Sequence, residues 1–174
     1  MRCDGYDPDR IAGIVKEGME ELQVTPRGRI LLKPTVVLAH PQIFPNAYTR
    51  EEFLDGVIAA VKSRAESIKE IAIGERSGIT VPTRYNFKNA GYREVIDKHG
   101  IKTYYFDECK HVPVQLNNPH AIRKTLFIPE PIKRCNFLIN LPKFKAHPWC
   151  RLTLSLKNFI GLQDDRHRLG DAFA

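Results

Sequence analysis

The sequence predicts an α/β domain, with a mostly parallel sheet flanked by helices in three layers. Three observations predict it. Helical and strand patterns alternate along the chain, an order that favours crossover connections and parallel pairing. The strand candidates are short apolar runs, such as Ile30–Leu32 and Phe137–Ile139, of the kind a sheet buries. No internal repeat or low-complexity tract breaks the order, and 174 residues suit one domain spanning 1–174.

Asp7-Pro8 predicts the first helix, with Asp7 as cap and Pro8 at a first position that needs no N–H partner. Ile11, Ile14, Val15, Met19 and Leu22 then fall on one face. After Pro26 and Gly28, Ile30-Leu31-Leu32 leads through Lys33-Pro34 into Val36-Val37-Leu38, read as one buried strand. Thr49-Arg50-Glu51-Glu52 has the capping-box pattern, and Phe53, Leu54, Val57, Ile58 and Val61 form the stripe of a second helix. Lys69 to Gly74 reads as a strand, and Phe87 to His99 as a third helix stopped by Gly100. Ile101 to Phe106 returns as a strand, while Asp107 to His120 reads as a polar loop with Pro113 and Pro119. Leu126-Phe127-Ile128 fits a short edge strand, Asn136 to Leu141 a buried one, and Trp149 to Ile160 a helix. The tail from Gln163 to Ala174 closes with no strand or helix, so the expectation is a domain cut short after Gly161.

Composition narrows the function. Lys+Arg 27 against Asp+Glu 20 gives a net charge of +7. Six of those cations, Lys133, Arg134, Lys143, Lys145, Arg151 and Lys157, lie between Glu130 and Asp164 with no acidic residue among them. An unpaired block of one sign invites an anionic partner. It lacks the arginine-rich or aromatic-interleaved pattern of a nucleic-acid platform, so a small anionic ligand ranks above nucleic acid. No apolar run approaches the roughly 20 residues that span a bilayer, and the first residues lack a secretory apolar core. The four cysteines form no C-x-x-C pair, which fits a cytoplasmic protein with reduced thiols and no membrane partner.

In an open parallel sheet, ligands sit beyond the carboxyl ends of the strands. That edge receives Lys33 after the first strand, Glu75 after the second, and Lys143, Lys145 and His147 after the last. Lys157 and Asn158 join them if their helix starts there, with Thr153 sharing the face of Lys157 four residues on. Gly74-Glu75-Arg76-Ser77-Gly78 reads as a strand-to-loop turn able to offer N–H groups to an anion, or as a plain surface turn. Cys109-x-His111 and His147-x-x-Cys150 together supply four possible metal ligands, although neither spacing is a strong zinc signature. Cys150 at a helix start beside Arg151 would also have an activated thiol. The dinucleotide and P-loop glycine motifs are absent, and no reaction class or cofactor follows from these residues.

Asn140-Leu141-Pro142-Lys143-Phe144-Lys145-Ala146-His147, then Thr153 and Lys157-Asn158-Phe159-Ile160-Gly161, resembles the signature of the domain of unknown function 362 family. That family typically reads N-x-P-K-x-K-T-H, a short gap, then T-x-x-x-K-N-x-x-G. Leu31-Leu32-Lys33-Pro34 and the Gly74–Gly78 turn are further matches. Thr35 stands where the family usually has asparagine, and Ala146 where it has threonine. The resemblance implies that Lys33, Glu75, Lys143, Lys145, His147, Lys157 and Asn158 belong to one site. In it the lysines would hold negative charge, Asn158 would orient the ligand, His147 would move protons, and Glu75 would be a second acid/base or simply pair with one lysine. Some members are linked to ferredoxin-like modules, which implies a ferredoxin-type redox partner as an alternative. The cysteine run of an iron–sulfur cluster is not in this chain. A basic nucleic-acid-binding module is the third reading.

Overall fold

The computed structural model describes residues 3–78, 81–121, 123–147 and 150–164. Its first half runs α1 (Pro8–Glu21), β1 (Arg27–Pro34), α2 (Glu51–Arg64), β2 (Glu66–Glu75), α3 (Thr83–Asn89), α4 (Tyr92–His99) and β3 (Lys102–Tyr105). There follow β4 (His111–Gln115), β5 (Thr125–Pro129), α5 (Glu130–Arg134), β6 (Phe137–Leu141), β7 (Lys145–His147) and β8 (Arg151–Thr153). The last elements are α6 (Ser155–Asn158) and a 3-10 helix, Phe159–Leu162.

Four of the strands make one parallel sheet in the order β3-β2-β1-β6. The central apolar run explains the register. Ile30, Leu31 and Leu32 of β1 lie opposite Ile71, Ala72 and Ile73 of β2 and opposite Phe137, Leu138 and Ile139 of β6. Successive side chains point to opposite faces. Ile30, Leu32, Ile71 and Ile73 therefore pack with Leu54, Val57, Ile58 and Val61 of α2, while Leu31 and Ala72 pack with Phe106 on the other side. The first core also takes Ile11 of α1, Phe87 of α3 and Tyr92 of α4; the second is closed by Ile132 of α5 and Leu162. The fold is the predicted α/β class, with two small antiparallel hairpins added. Among the described residues, no helix is long and apolar enough to cross a membrane.

Asp7 caps α1 as expected, accepting from the N–H groups of Asp9 (3.0 Å) and Arg10 (3.4 Å). Several other expectations are corrected. β1 ends at Pro34, and Val36 makes only an isolated bridge to Tyr48, so the strand does not continue through Leu38. The capping box is not made. Thr49 Oγ1 instead donates to the Leu141 carbonyl (2.8 Å) and accepts from Thr35 N–H (3.0 Å), tying the start of α2 to two strand ends. The third helix is two helices, because Gly91 at φ +73° breaks the run in a left-handed conformation.

The polar loop after β3 contains β4, which pairs antiparallel with β5 from His111↔Pro129 to Gln115↔Thr125. Pro113 inside the strand and weak alternation hid it. Asn136–Leu141 is expected as a buried strand, yet among the described residues β6 lies at the sheet edge with partly exposed side chains. The predicted helix from Trp149 is corrected as well. β7 and β8 form a hairpin, Arg151 has φ +62°, and helix begins only at Ser155. Thr153 is thus a strand residue that shares no helical face with Lys157, and Cys150 lies before β8 with no helix start to activate it. Trp149 and the tail beyond Asp164 lie outside the described residues.

Candidate functional site

The carboxyl ends of β1 and β2 carry opposite charges that meet inside the protein. Lys33 Nζ lies 2.6 Å from Glu75 Oε2, with the two residues only 0% and 2% exposed. Glu75 Oε1 accepts from Arg76 N–H at 2.7 Å. Two charges withdrawn from water require such partners, since either alone would be strongly destabilising. Above the carboxylate passes Gly161, where an added Cβ would stand 2.5 Å from Glu75 Oε1. Tyr92 registers the charge from behind: burial, and after it Glu75, push its hydroxyl well above the usual tyrosine range.

Asn158 joins the strand ends to the last helix. Its amide Nδ2 donates to the carbonyls of Lys33 (3.2 Å) and Pro34 (3.3 Å) and to Asn140 Oδ1 (2.7 Å). Its Oδ1 accepts from Thr35 Oγ1 at 2.9 Å, and the same hydroxyl accepts from Lys143 N–H at 3.0 Å. Thr35 was not among the site residues chosen from sequence; the signal was its departure from the family's asparagine. Arg76 was also missed, although it stood in the Gly74–Gly78 turn. It is buried to 7% exposure and its Nη1 donates to the Gln163 carbonyl at 3.0 Å.

Beside this junction lies a crevice of about 130 Å³, walled by Lys145, His147, Thr153, Lys157, Arg76 and Glu75. The hairpin explains half of that wall. Lys145 lies opposite Thr153, and His147 is two residues along, so all three share one face; Ala146 and Leu152 occupy the other. Lys145 Nζ donates to the Ala47 carbonyl at 2.6 Å. Burial, then the charges of Lys157 and Lys143, pull Lys145 below the usual lysine range against the opposing pull of Glu75. His147 is pulled down in the same way by burial, Lys157 and Lys145. Its Nδ1 accepts from Cys150 N–H at 3.2 Å, which assigns the proton of the neutral ring to Nε2. Thr153 is 4% exposed and its hydroxyl has no hydrogen-bond partner. Lys157 makes no ion pair with another described residue.

The structure therefore brings Glu75, Lys145, His147, Thr153, Lys157 and Asn158 to one crevice. Lys33 lies beneath it, bound to Glu75. Lys143 lies to one side, its Nζ pairing with no carboxylate among the described residues but donating to Tyr6 Oη at 2.9 Å and lying 5.4 Å from that ring's centre. The four-ligand metal site is not assembled. Among the described residues no three of His, Cys, Asp or Glu are grouped to hold an ion, so Cys109 and His111 are not gathered with His147 and Cys150. His111 Nδ1 is engaged by the Cys109 carbonyl (3.0 Å), and burial raises the Cys109 thiol above its ordinary value. A second cavity, about 150 Å³ beside Arg29 and Cys135, differs in charge: Lys102 pairs with Glu70 (3.2 Å) and Arg134 with Glu130 (3.9 Å).

A family profile described as "Domain of unknown function (DUF362)" matches residues 30–171. The chain belongs to the DUF362 family. No curated protein and no solved structure matches it. The DUF362 match begins inside β1 and takes in every wall residue of the crevice. Both departures from the DUF362 signature have a structural reading. Thr35 keeps a polar link to Asn158 where the usual asparagine is missing, and Ala146 sits on the hairpin face turned away from the crevice.

Proposed function

We propose that this DUF362 chain is an enzyme-like domain that binds a small anionic molecule in the crevice between the β7–β8 hairpin and α6. One observation carries the reading: the buried Thr153 hydroxyl has no partner, and it stands in a wall with two lysines that have no ion-pair partner among the described residues. A buried hydroxyl left unsatisfied costs about 1–3 kcal/mol, and an anion accepting from it would remove that cost. Lys157 supplies the charge, Lys145 lines the wall beside it, and Asn158 holds the wall against the ends of β1 and β6. His147, whose ring burial and neighbouring lysines hold toward the neutral form with Nδ1 engaged by Cys150, offers the ligand an Nε2–H donor. Glu75 balances Lys33 and sets the floor.

Calorimetric titration of the full chain with inorganic phosphate and with small carboxylates tests the reading. Thr153→Val and Lys157→Gln should each weaken binding by about ten- to a hundredfold, the equivalent of one charged hydrogen bond, with melting temperature nearly unchanged. Binding that is indifferent to both substitutions would place the ligand elsewhere.

A further inference from the structure

We infer that Lys145 is a carbonyl-directed nucleophile, and that the ligand class is a small 2-oxo acid whose carboxylate lies against Lys157 and Thr153. The inference rests on the anion-binding reading above and adds a covalent step to it. Lys145 is set apart from ordinary surface lysines by its surroundings. The Ala47 carbonyl takes one of its N–H groups at 2.6 Å, which fixes the amine at the crevice wall. Its opposite neighbour across the hairpin is the uncharged Thr153, and the carboxylate whose charge reaches it, Glu75, is already bound to Lys33. Lysines desolvated beside other cations give up their proton more readily, and the direction found for Lys145 agrees. A neutral amine can keep its hydrogen bond to Ala47 while its lone pair remains available for a carbonyl carbon.

The size of the crevice limits the partner. Pockets for drug-sized ligands run about 300–1,000 Å³. At about 130 Å³, this crevice suits an acid of a few carbons. In the step, the amine lone pair forms a C–N bond to the carbonyl carbon, and the C=O π pair moves to oxygen, which takes a proton. The nitrogen releases its own proton, giving a carbinolamine. Loss of the hydroxyl as water then leaves C=N. One water is released and nothing is oxidised or reduced. The proton that the nitrogen releases reaches the departing hydroxyl through water, while His147, on the same hairpin face, can donate a hydrogen bond to that oxygen through Nε2–H.

Incubating the full chain with pyruvate and sodium borohydride tests this, because reduction traps the imine as a stable secondary amine. The expected result is one adduct whose mass is that of the acid less one oxygen, mapped by peptide sequencing to Lys145. The exposed Lys69 should stay unmodified. Lactate, which has a hydroxyl in place of the 2-oxo group, should compete without labelling. Lys145→Arg should abolish the adduct. Pyruvate binding without an adduct at Lys145, or with labelling spread over exposed lysines, overturns the nucleophile and leaves the anion site standing. Failure of pyruvate, lactate and phosphate alike to bind overturns both.

Discussion

Lys33 and Glu75 show how a single buried contact divides structural from chemical duty. Both were chosen from sequence as site residues, and both lie at the strand ends expected of them. Their 2.6 Å contact at almost no exposure makes each the other's counter-ion. Glu75→Gln leaves an uncompensated buried ammonium and should cost about 3–5 kcal/mol in urea unfolding. The double substitution Lys33→Met with Glu75→Leu should recover most of that loss, because an apolar pair of similar volume often replaces a buried ion pair without penalty. No recovery would mean that the charges serve something beyond each other. Lys145 and His147 are the contrasting case, since burial, and after it the neighbouring lysines, lower their protonation instead of locking it.

At the scale of elements, the 3-10 helix and the hairpin shape the crevice, and sequence conveyed them unequally. Gly161 lets the 3-10 helix pass directly over Glu75. Gly161→Ala must displace the helix or the carboxylate, and should cost about 1–3 kcal/mol and weaken anion binding. Gly13→Ala in α1, where nothing lies within 4 Å, should instead stabilise by about 0.5–1 kcal/mol. Equal thermal shifts for the two would remove the steric argument. The cap at Asp7, the stripe of α2 and the parallel sheet were legible because each depends on neighbours in sequence or on a repeated period. The hairpin was not. Three-residue strands are too short to show alternation, and Arg151 carries a positive φ that composition does not announce. Thr49 misled for a related reason: its hydroxyl had a local use in a cap, but the tertiary partners Thr35 and Leu141 hold it. The cationic cluster itself was visible as an acid-free stretch, whereas the unpartnered hydroxyl of Thr153 needed three dimensions.

For the molecule as a whole, charge is unevenly spread: residues 131–163 hold +6, and the remainder of the chain only +1. A carboxyl that contributes stability against acid lies outside that block. Asp55 of α2 accepts from Lys98 (2.7 Å) and lies 2.6 Å from His99 Nε2, clamping the end of α4. Burial alone would raise its carboxyl, but these two hydrogen bonds outweigh burial and hold it below the usual aspartate range. A folded-state carboxyl that ionises more readily adds stability above the unfolded value, about 3.9, and loses it as pH falls through the folded one. Asp55→Asn should therefore unfold about 1–2 kcal/mol more easily at pH 7, with the gap closing below about pH 4. A gap independent of pH would point to packing and not to charge.

The bonds made by Asn158 have a further consequence in time. Asn158 reaches back 123 residues to Thr35 and 125 to the Lys33 carbonyl, and Lys143 reaches 137 residues back to Tyr6. Contacts this distant close the largest loops in the chain and form only after that entropy has been lost. During synthesis, β1, α2 and β2 can emerge and pair long before residue 158 leaves the ribosome. The 3-10 helix over Glu75 thus arrives after the strands it covers, and until then a nascent chain carries that ion pair uncovered.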